Sequence, residues 1–337
     1  MLIKILTSVA GMIAMLVIVM TIAGVLKETG AMTGMYSYLK PRVKSKRGLV
    51  ALMSLMFGVM PVPGRICFTC SILDSVQDKT RNNQKMGIIA HLASHHYYLW
   101  SPLEKAIIIV CGVLGISYVS FISTMWLPAA IMVAFSLVYI FNFVSEDEIY
   151  LKEAATYSDI DARGLWASTV LFIALGVAAT FPAYTWYIFG TYAAGLVVYA
   201  KTFKLEWLDF KTIGFACGAV ILGSIIGSYQ KEAMIFLEPF IKGHAIGALV
   251  ILSFLLAFAM GSSAKYAAIC GAIVKVIGIK FLPLFYLAEF AGYLMSPSHD
   301  CVAIAKSYFK TPVGMFFVPL VTLSIILVLY GVLVLLF

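Results

Sequence analysis

The chain has 337 residues, of which 62% are hydrophobic and 12% charged, with a mean hydropathy of +0.99. Soluble domains carry about 25% charged residues, so this composition excludes a soluble globular fold and predicts an all-α polytopic membrane protein. The apolar runs are continuous, unlike the ~10-residue alternating segments of a membrane barrel. The net charge of +8 does not point to nucleic acid, because the basic residues gather in short loops, as the positive-inside rule expects.

The first apolar run, residues 5–25, is too long for a signal-peptide core and lacks a clean cleavage site, which predicts a retained helix over residues 2–26. Lys40-Pro41-Arg42-Val43-Lys44-Ser45-Lys46-Arg47 follows, with five cations in eight residues. It reads as cytoplasmic and puts the N-terminus outside. Two apolar arms, 48–59 and 66–73, are then separated by Met60-Pro61-Val62-Pro63-Gly64-Arg65. Neither arm reaches the roughly 20 residues a membrane helix needs. Prolines end helices, and the backbone groups they free cannot face lipid. A re-entrant hairpin over residues 48–76 satisfies both conditions. Lys79, Arg81 and Lys85 make its far end basic like its near end, as a segment that dips and returns predicts. Cys67 and Cys70 form a lone C-x-x-C inside this hairpin and read as small packing residues.

Residues 86–100 carry His91, His95 and His96 and end at Ser101-Pro102. Two apolar runs follow, 106–124 and 126–144, with a break expected near Trp126-Leu127-Pro128. The hydrophilic stretch 145–163 reads as a linker between a first transmembrane repeat, 1–144, and a second, 164–337. The second half opens with apolar runs 165–180 and 184–199. Another run over 212–228 and an amphipathic connector over 229–242 follow. A second hairpin is expected over 244–278, its arms 244–260 and 266–277 divided by Gly261-Ser262-Ser263-Ala264-Lys265. Residues 281–295 end at Ser296-Pro297-Ser298-His299-Asp300, and a long apolar helix over 314–337 closes the chain.

The halves share a grammar. Met60 or Met260 precedes the break, Arg65 or Lys265 follows it, and each half then reaches a Ser-Pro with histidine nearby. Paired interruptions of this kind are the sequence pointer to a transporter site at a repeat interface. The expected fold is therefore two structural repeats, each with a re-entrant helical hairpin and a broken helix.

Three stretches carry a family resemblance: Pro61-Val62-Pro63-Gly64 with Ser71 and Asp74; His95-His96 through Trp100-Ser101-Pro102-Leu103; and Ser296-Pro297-Ser298-His299-Asp300-Cys301 with Tyr308-Phe309. On these the chain resembles an uncharacterised family of prokaryotic integral membrane proteins, the domain of unknown function 401. That family sits in the ion-transporter superfamily beside gluconate, citrate and arsenite permeases and some Na⁺/H⁺ antiporters. The resemblance implies an elevator-type carrier in the inner or plasma membrane of a prokaryote. It also implies a scaffold that makes a homodimer contact and a transport domain that carries both hairpins. The chain departs from the family at Arg65, where a second glycine is usual.

The expected site lies between the two breaks. Pro61, Pro63, Gly64 and Gly261 bend the backbone or let it approach closely. Arg65 and Lys265 either bind an anion beside helix N-termini or snorkel to headgroups. Asp74 and Asp300 are candidates for a coupling ion, although Asp74 can instead pair with Arg65 and Asp300 can instead cap a helix. Ser101, Ser262, Ser263 and Ser296, with His299, supply hydrogen bonds to substrate or ion. His95 and His96 are candidates for a proton relay. His91, His95, His96 and His299 invite a metal reading, and His91 and His95 share a helix face, but no acid or thiol lies beside them at helical spacing, so no metal is expected.

No nucleophile elbow, zinc-protease motif or phosphate-cradling loop occurs, so no enzyme is expected. The function expected is secondary active transport of a small anion, such as an organic acid, coupled to Na⁺ or H⁺ and needing no other cofactor. Its partners are the bilayer and a second copy, not nucleic acid. Two alternatives stay open: an ion channel on the same scaffold, or a non-transporting membrane protein that handles lipid or serves assembly.

Overall fold

The computed structural model describes residues 2–29, 41–59, 84–145, 162–181, 184–208 and 245–336, with isolated positions between them. The first break, with Pro61, Pro63, Gly64 and Arg65, lies outside the described residues, as do Asp74, most of the stretch 145–163 and the connector 229–242.

Every described element is helical. In chain order they are α1 (Leu2–Glu28), α2 (Lys46–Val59), α3 (Lys85–Ala93), a 3₁₀ turn (His96–Leu99), α4 (Lys105–Leu114), α5 (Tyr118–Phe143), α6 (Ala162–Thr180) and α7 (Thr185–Ala200). A second 3₁₀ turn (Leu205–Trp207) precedes α8 (Ala245–Met260) and α9 (Ser263–Ile277). A third (Ile279–Phe281) leads into α10 (Leu282–Met295), α11 (Asp300–Phe309) and α12 (Val313–Leu336).

Among the described residues, three helices are long and apolar enough to cross a membrane: α1 through its window Val9–Leu26, α5 and α12. At 1.5 Å per residue, a helix of 26 residues such as α5 is about 39 Å long, enough for a hydrocarbon core of about 30 Å. By the same measure α8, α9 and α10, with 16, 15 and 14 residues, stop short of a full crossing. Long spans and short half-length helices together fit a membrane protein with internal breaks.

The short helices end for local reasons. Glu104 caps α4 by accepting from the Ala106 amide, and Gly115, at φ +70°, ends it. Ser117 then opens α5 by accepting from the Ser120 amide. The break expected near Pro128 is therefore at Gly115-Ile116-Ser117, and Pro128 lies inside α5. A proline removes one helix hydrogen bond, which neighbouring helices in a membrane bundle can offset. A left-handed glycine followed by a serine cap stops the helix outright. Likewise α8 ends at Gly261, at φ +54°, and only Ser262 separates that glycine from the first residue of α9.

One hydrophobic core draws buried side chains from α1 to α12. Helix α10 is buried along nearly its whole length and packs on α8, α9 and α12. Glycines permit the closest approaches: a Cβ at Gly292 would strike the Phe254 carbonyl of α8, and one at Gly331 would come within 2.7 Å of Leu284 Cα. In the first half, Gly58 of α2 sits on the Ala93–Ser94 backbone at the end of α3. Helix α1 packs on α4, α6 and α7. Beyond the spans, Lys204 pairs with Glu28 at 2.7 Å, and that hydrogen bond holds the ammonium above the ordinary lysine range. The pair is exposed and adds little to stability.

Candidate functional site

The second break is a junction of four helix ends. Gly261 lies so close to the segment after α10 that a Cβ there would come within 2.9 Å of the Ser298 carbonyl. The serines of that segment close the end of α8: Ser296 Oγ donates to the Phe258 carbonyl, and Ser298 Oγ donates to the Ala259 carbonyl at 3.3 Å. The last carbonyls of a helix lack partners within it, and here side chains from another break supply them. Ser298 Oγ also lies 2.8 Å from Ser296 Oγ, so its one proton is shared between that hydroxyl and the Ala259 carbonyl. The N-termini of α9 and α11 thus come together, and neither N-cap residue, Ser262 or His299, makes a side-chain capping bond. Ser262 and Ser263 are half-buried at this junction, and Lys265 in the first turn of α9 is exposed. Asp300 is the first residue of α11.

Beside the first Ser-Pro, Ser101 is fully buried and accepts from the Leu103 amide at 3.2 Å. His96 has both ring nitrogens engaged: Nε2 donates to the Leu55 carbonyl of α2 at 3.2 Å, and Nδ1 accepts from the Trp100 indole at 2.9 Å. This histidine ties the first arm to the first broken helix.

His95 faces the other way. Its Nε2 is 3.4 Å from Nε2 of His299, although 204 residues separate the two in sequence. Helices α3 and α11 pack antiparallel: Gly87 meets Ala305 and Thr311 at one end, and His91 and His95 meet His299 at the other. One ring nitrogen from each of His91, His95 and His299 lies within 4.8 Å of the others, and all three side chains are buried. His91 Nε2 is 2.9 Å from the Leu294 carbonyl, and His95 Nδ1 bonds the His91 carbonyl. A carbonyl only accepts, so the proton sits on Nε2 of His91 and on Nδ1 of His95. Tyrosines wall this pocket. Tyr293 stacks at 4.0 Å from the His299 ring, and its hydroxyl bonds that of Tyr98 at 2.9 Å.

The sequence offers His299 beside His91 and His95, and the fold brings the three into one cluster. One group that carries chemistry has no place in the sequence reading: Glu289 of α10, which is fully buried, and neither of its carboxyl oxygens has a hydrogen-bond partner among the described residues. Ser253 of α8 and the Cys270 backbone of α9 are the polar groups beside it. Its sequence signal is a single acid in the middle of the apolar run 281–295. Elsewhere, an apolar groove of about 760 Å³ between α6 and α7 is lined by side chains such as Trp166, Ile173, Tyr187 and Tyr199. It brings no cluster of polar groups to a point.

Residues 1–162 match the family described as protein of unknown function (DUF401). The match covers α1 to α5, and with them His91, His95 and Ser101. Gly261, Glu289 and His299 lie beyond it. No curated protein matches the chain.

Proposed function

We propose that the chain is a secondary active transporter of a small anion, with organic acids the first class to test, coupled to Na⁺ or H⁺. The observation that carries this reading is the junction at Gly261 and Ser298. Two half-length helices, α9 and α11, bring their N-termini together there, beside an exposed lysine, and neither helix start is closed by a side-chain capping bond. Helix N-termini attract anions through free amides and the helix dipole. Discontinuous helices meeting inside a bundle are how secondary transporters build such sites. The α8 carbonyls that would repel an anion are already engaged by Ser296 and Ser298.

Repeated packing supports an internal repeat, and with it membership of the ion-transporter superfamily. The arms α2 and α8 pack on α3 and α10, the helices that precede the two Ser-Pro breaks. Those helices pack in turn on α5 and α12, long helices that each contain one proline and contact each other. We assign the coupling ion to Glu289. A carboxyl buried without a partner inside a membrane protein is the kind of group that carries a proton or cation. The full reading is an elevator-type homodimer in a prokaryotic cell membrane, with the N-terminus outside.

The anion site is tested by thermal stabilisation of the purified protein with organic acids and oxyanions, with and without Na⁺. A stabilising anion whose effect is lost in Lys265→Gln or Arg65→Gln supports the site. A stabilising anion whose effect survives both substitutions removes the assignment.

A further inference from the structure

We propose that His91, His95 and His299 form a binding site for one divalent transition-metal ion of the zinc class, joining α3 to the N-terminus of α11. This inference does not depend on the transport reading. Three observations carry it. First, one ring nitrogen from each histidine lies within 4.8 Å of the others in a buried pocket. Nitrogens bound to a tetrahedral zinc at about 2.0–2.1 Å stand about 3.3–3.4 Å apart, and the His95–His299 Nε2 pair is at 3.4 Å already. The three ligand atoms otherwise lie within 4.8 Å, so a bound ion draws the rings together by up to about 1.4 Å.

Second, the protonation pattern of two of the three rings, His91 and His95, fits a ligand set. His91 uses Nε2–H on the Leu294 carbonyl, and His95 uses Nδ1–H on the His91 carbonyl. Each neutral ring is thereby left with its lone pair on the other nitrogen, Nδ1 of His91 and Nε2 of His95. Zinc-bound histidines are held in this manner, by a carbonyl or carboxylate on the second ring nitrogen. Third, His91 Nδ1 is buried and has no hydrogen-bond partner among the described residues. A buried acceptor left unsatisfied is destabilising; a bound cation removes that penalty and gives the lone pair a purpose. Three imidazoles leave the fourth tetrahedral position for water or an anion, as in open zinc sites.

The ring contacts alone do not account for the cluster. Ring packing leaves the buried Nδ1 of His91 without a hydrogen-bond partner among the described residues, and a bound cation supplies one.

The test uses the full-length, tag-free protein in detergent, stripped with a chelator and titrated with Co²⁺ and then Zn²⁺. The expected result is one ion per chain, visible Co²⁺ bands of tetrahedral intensity that Zn²⁺ displaces, and X-ray absorption showing three imidazole nitrogens at about 2.0–2.1 Å. His91→Ala, His95→Ala and His299→Ala should each weaken binding by more than the roughly 10–100-fold that losing an outer partner costs. Lys204→Gln, on a distant surface, should bind like the parent. A parent protein that takes up no Co²⁺, or whose bound metal shows fewer than three imidazoles, overturns the proposal. So does a folded histidine variant that binds as tightly as the parent. The parent measurements decide the matter even where a variant fails to fold.

Discussion

At Gly261 the backbone sits at φ +54° with the Ser298 carbonyl within 2.9 Å of where a Cβ would lie. Gly261→Ala therefore carries a conformational penalty of about 1–2 kcal/mol as well as a steric one against backbone that cannot swing aside. We expect a clear fall in the thermal midpoint, whereas Gly247→Ala, where a Cβ meets nothing, should leave it unchanged or raise it slightly through helix propensity. Equal midpoints for the two variants would mean that the junction is not as tight as described. Glu289 invites a different substitution. Glu289→Gln keeps shape and removes the ionisable group, so the variant should fold and bind substrate while its flux no longer responds to the coupling gradient. If gradient-driven uptake by Glu289→Gln matches the parent, the coupling ion resides elsewhere. At this scale the sequence was informative about some site residues and silent about others. Gly261, Ser296 and His299 could be singled out because breaks in apolar runs are visible in one dimension. The meeting of His299 with His91 could not, since helical spacing reports neighbours on one helix and says nothing of a partner on another.

At the level of elements, the close approach of α8 to α10 depends on Gly292, where any side chain would strike the Phe254 carbonyl. Gly292→Ala should cost about 1–3 kcal/mol, the range for overpacking a filled interior. Chemical denaturation in detergent micelles measures that loss, and an unchanged midpoint would contradict the packing. Most helices could be read from the chain because hydropathy and terminating residues coincide. Lys85–Ala93, Ala245–Met260, Leu282–Met295 and Val313–Leu336 begin or end within a few residues of glycine, proline or serine breaks. The error near Pro128 has a physical cause. In sequence a proline reads as a stop, yet α5 passes through Pro128, and the true stop is the left-handed Gly115 with its serine cap two residues on. Glycine conformation depends on φ, which composition does not reveal.

At the level of the whole molecule, short helices meet end to end inside a bundle braced by α5 and α12. Exposed apolar side chains along α12, among them Val318, Ile325, Leu329 and Leu333, suit a lipid-facing surface. Such a bundle, with serines engaging the carbonyl ends and with amide ends gathered beside Lys265, suits a machine that binds an anion and changes which side it faces. The most direct test is uptake of a radiolabelled anion, chosen by thermal stabilisation, into proteoliposomes under an imposed Na⁺ or pH gradient. The account predicts flux that saturates with substrate and collapses with the gradient. Flux that neither saturates nor follows any gradient, accompanied by large unitary currents, would contradict it.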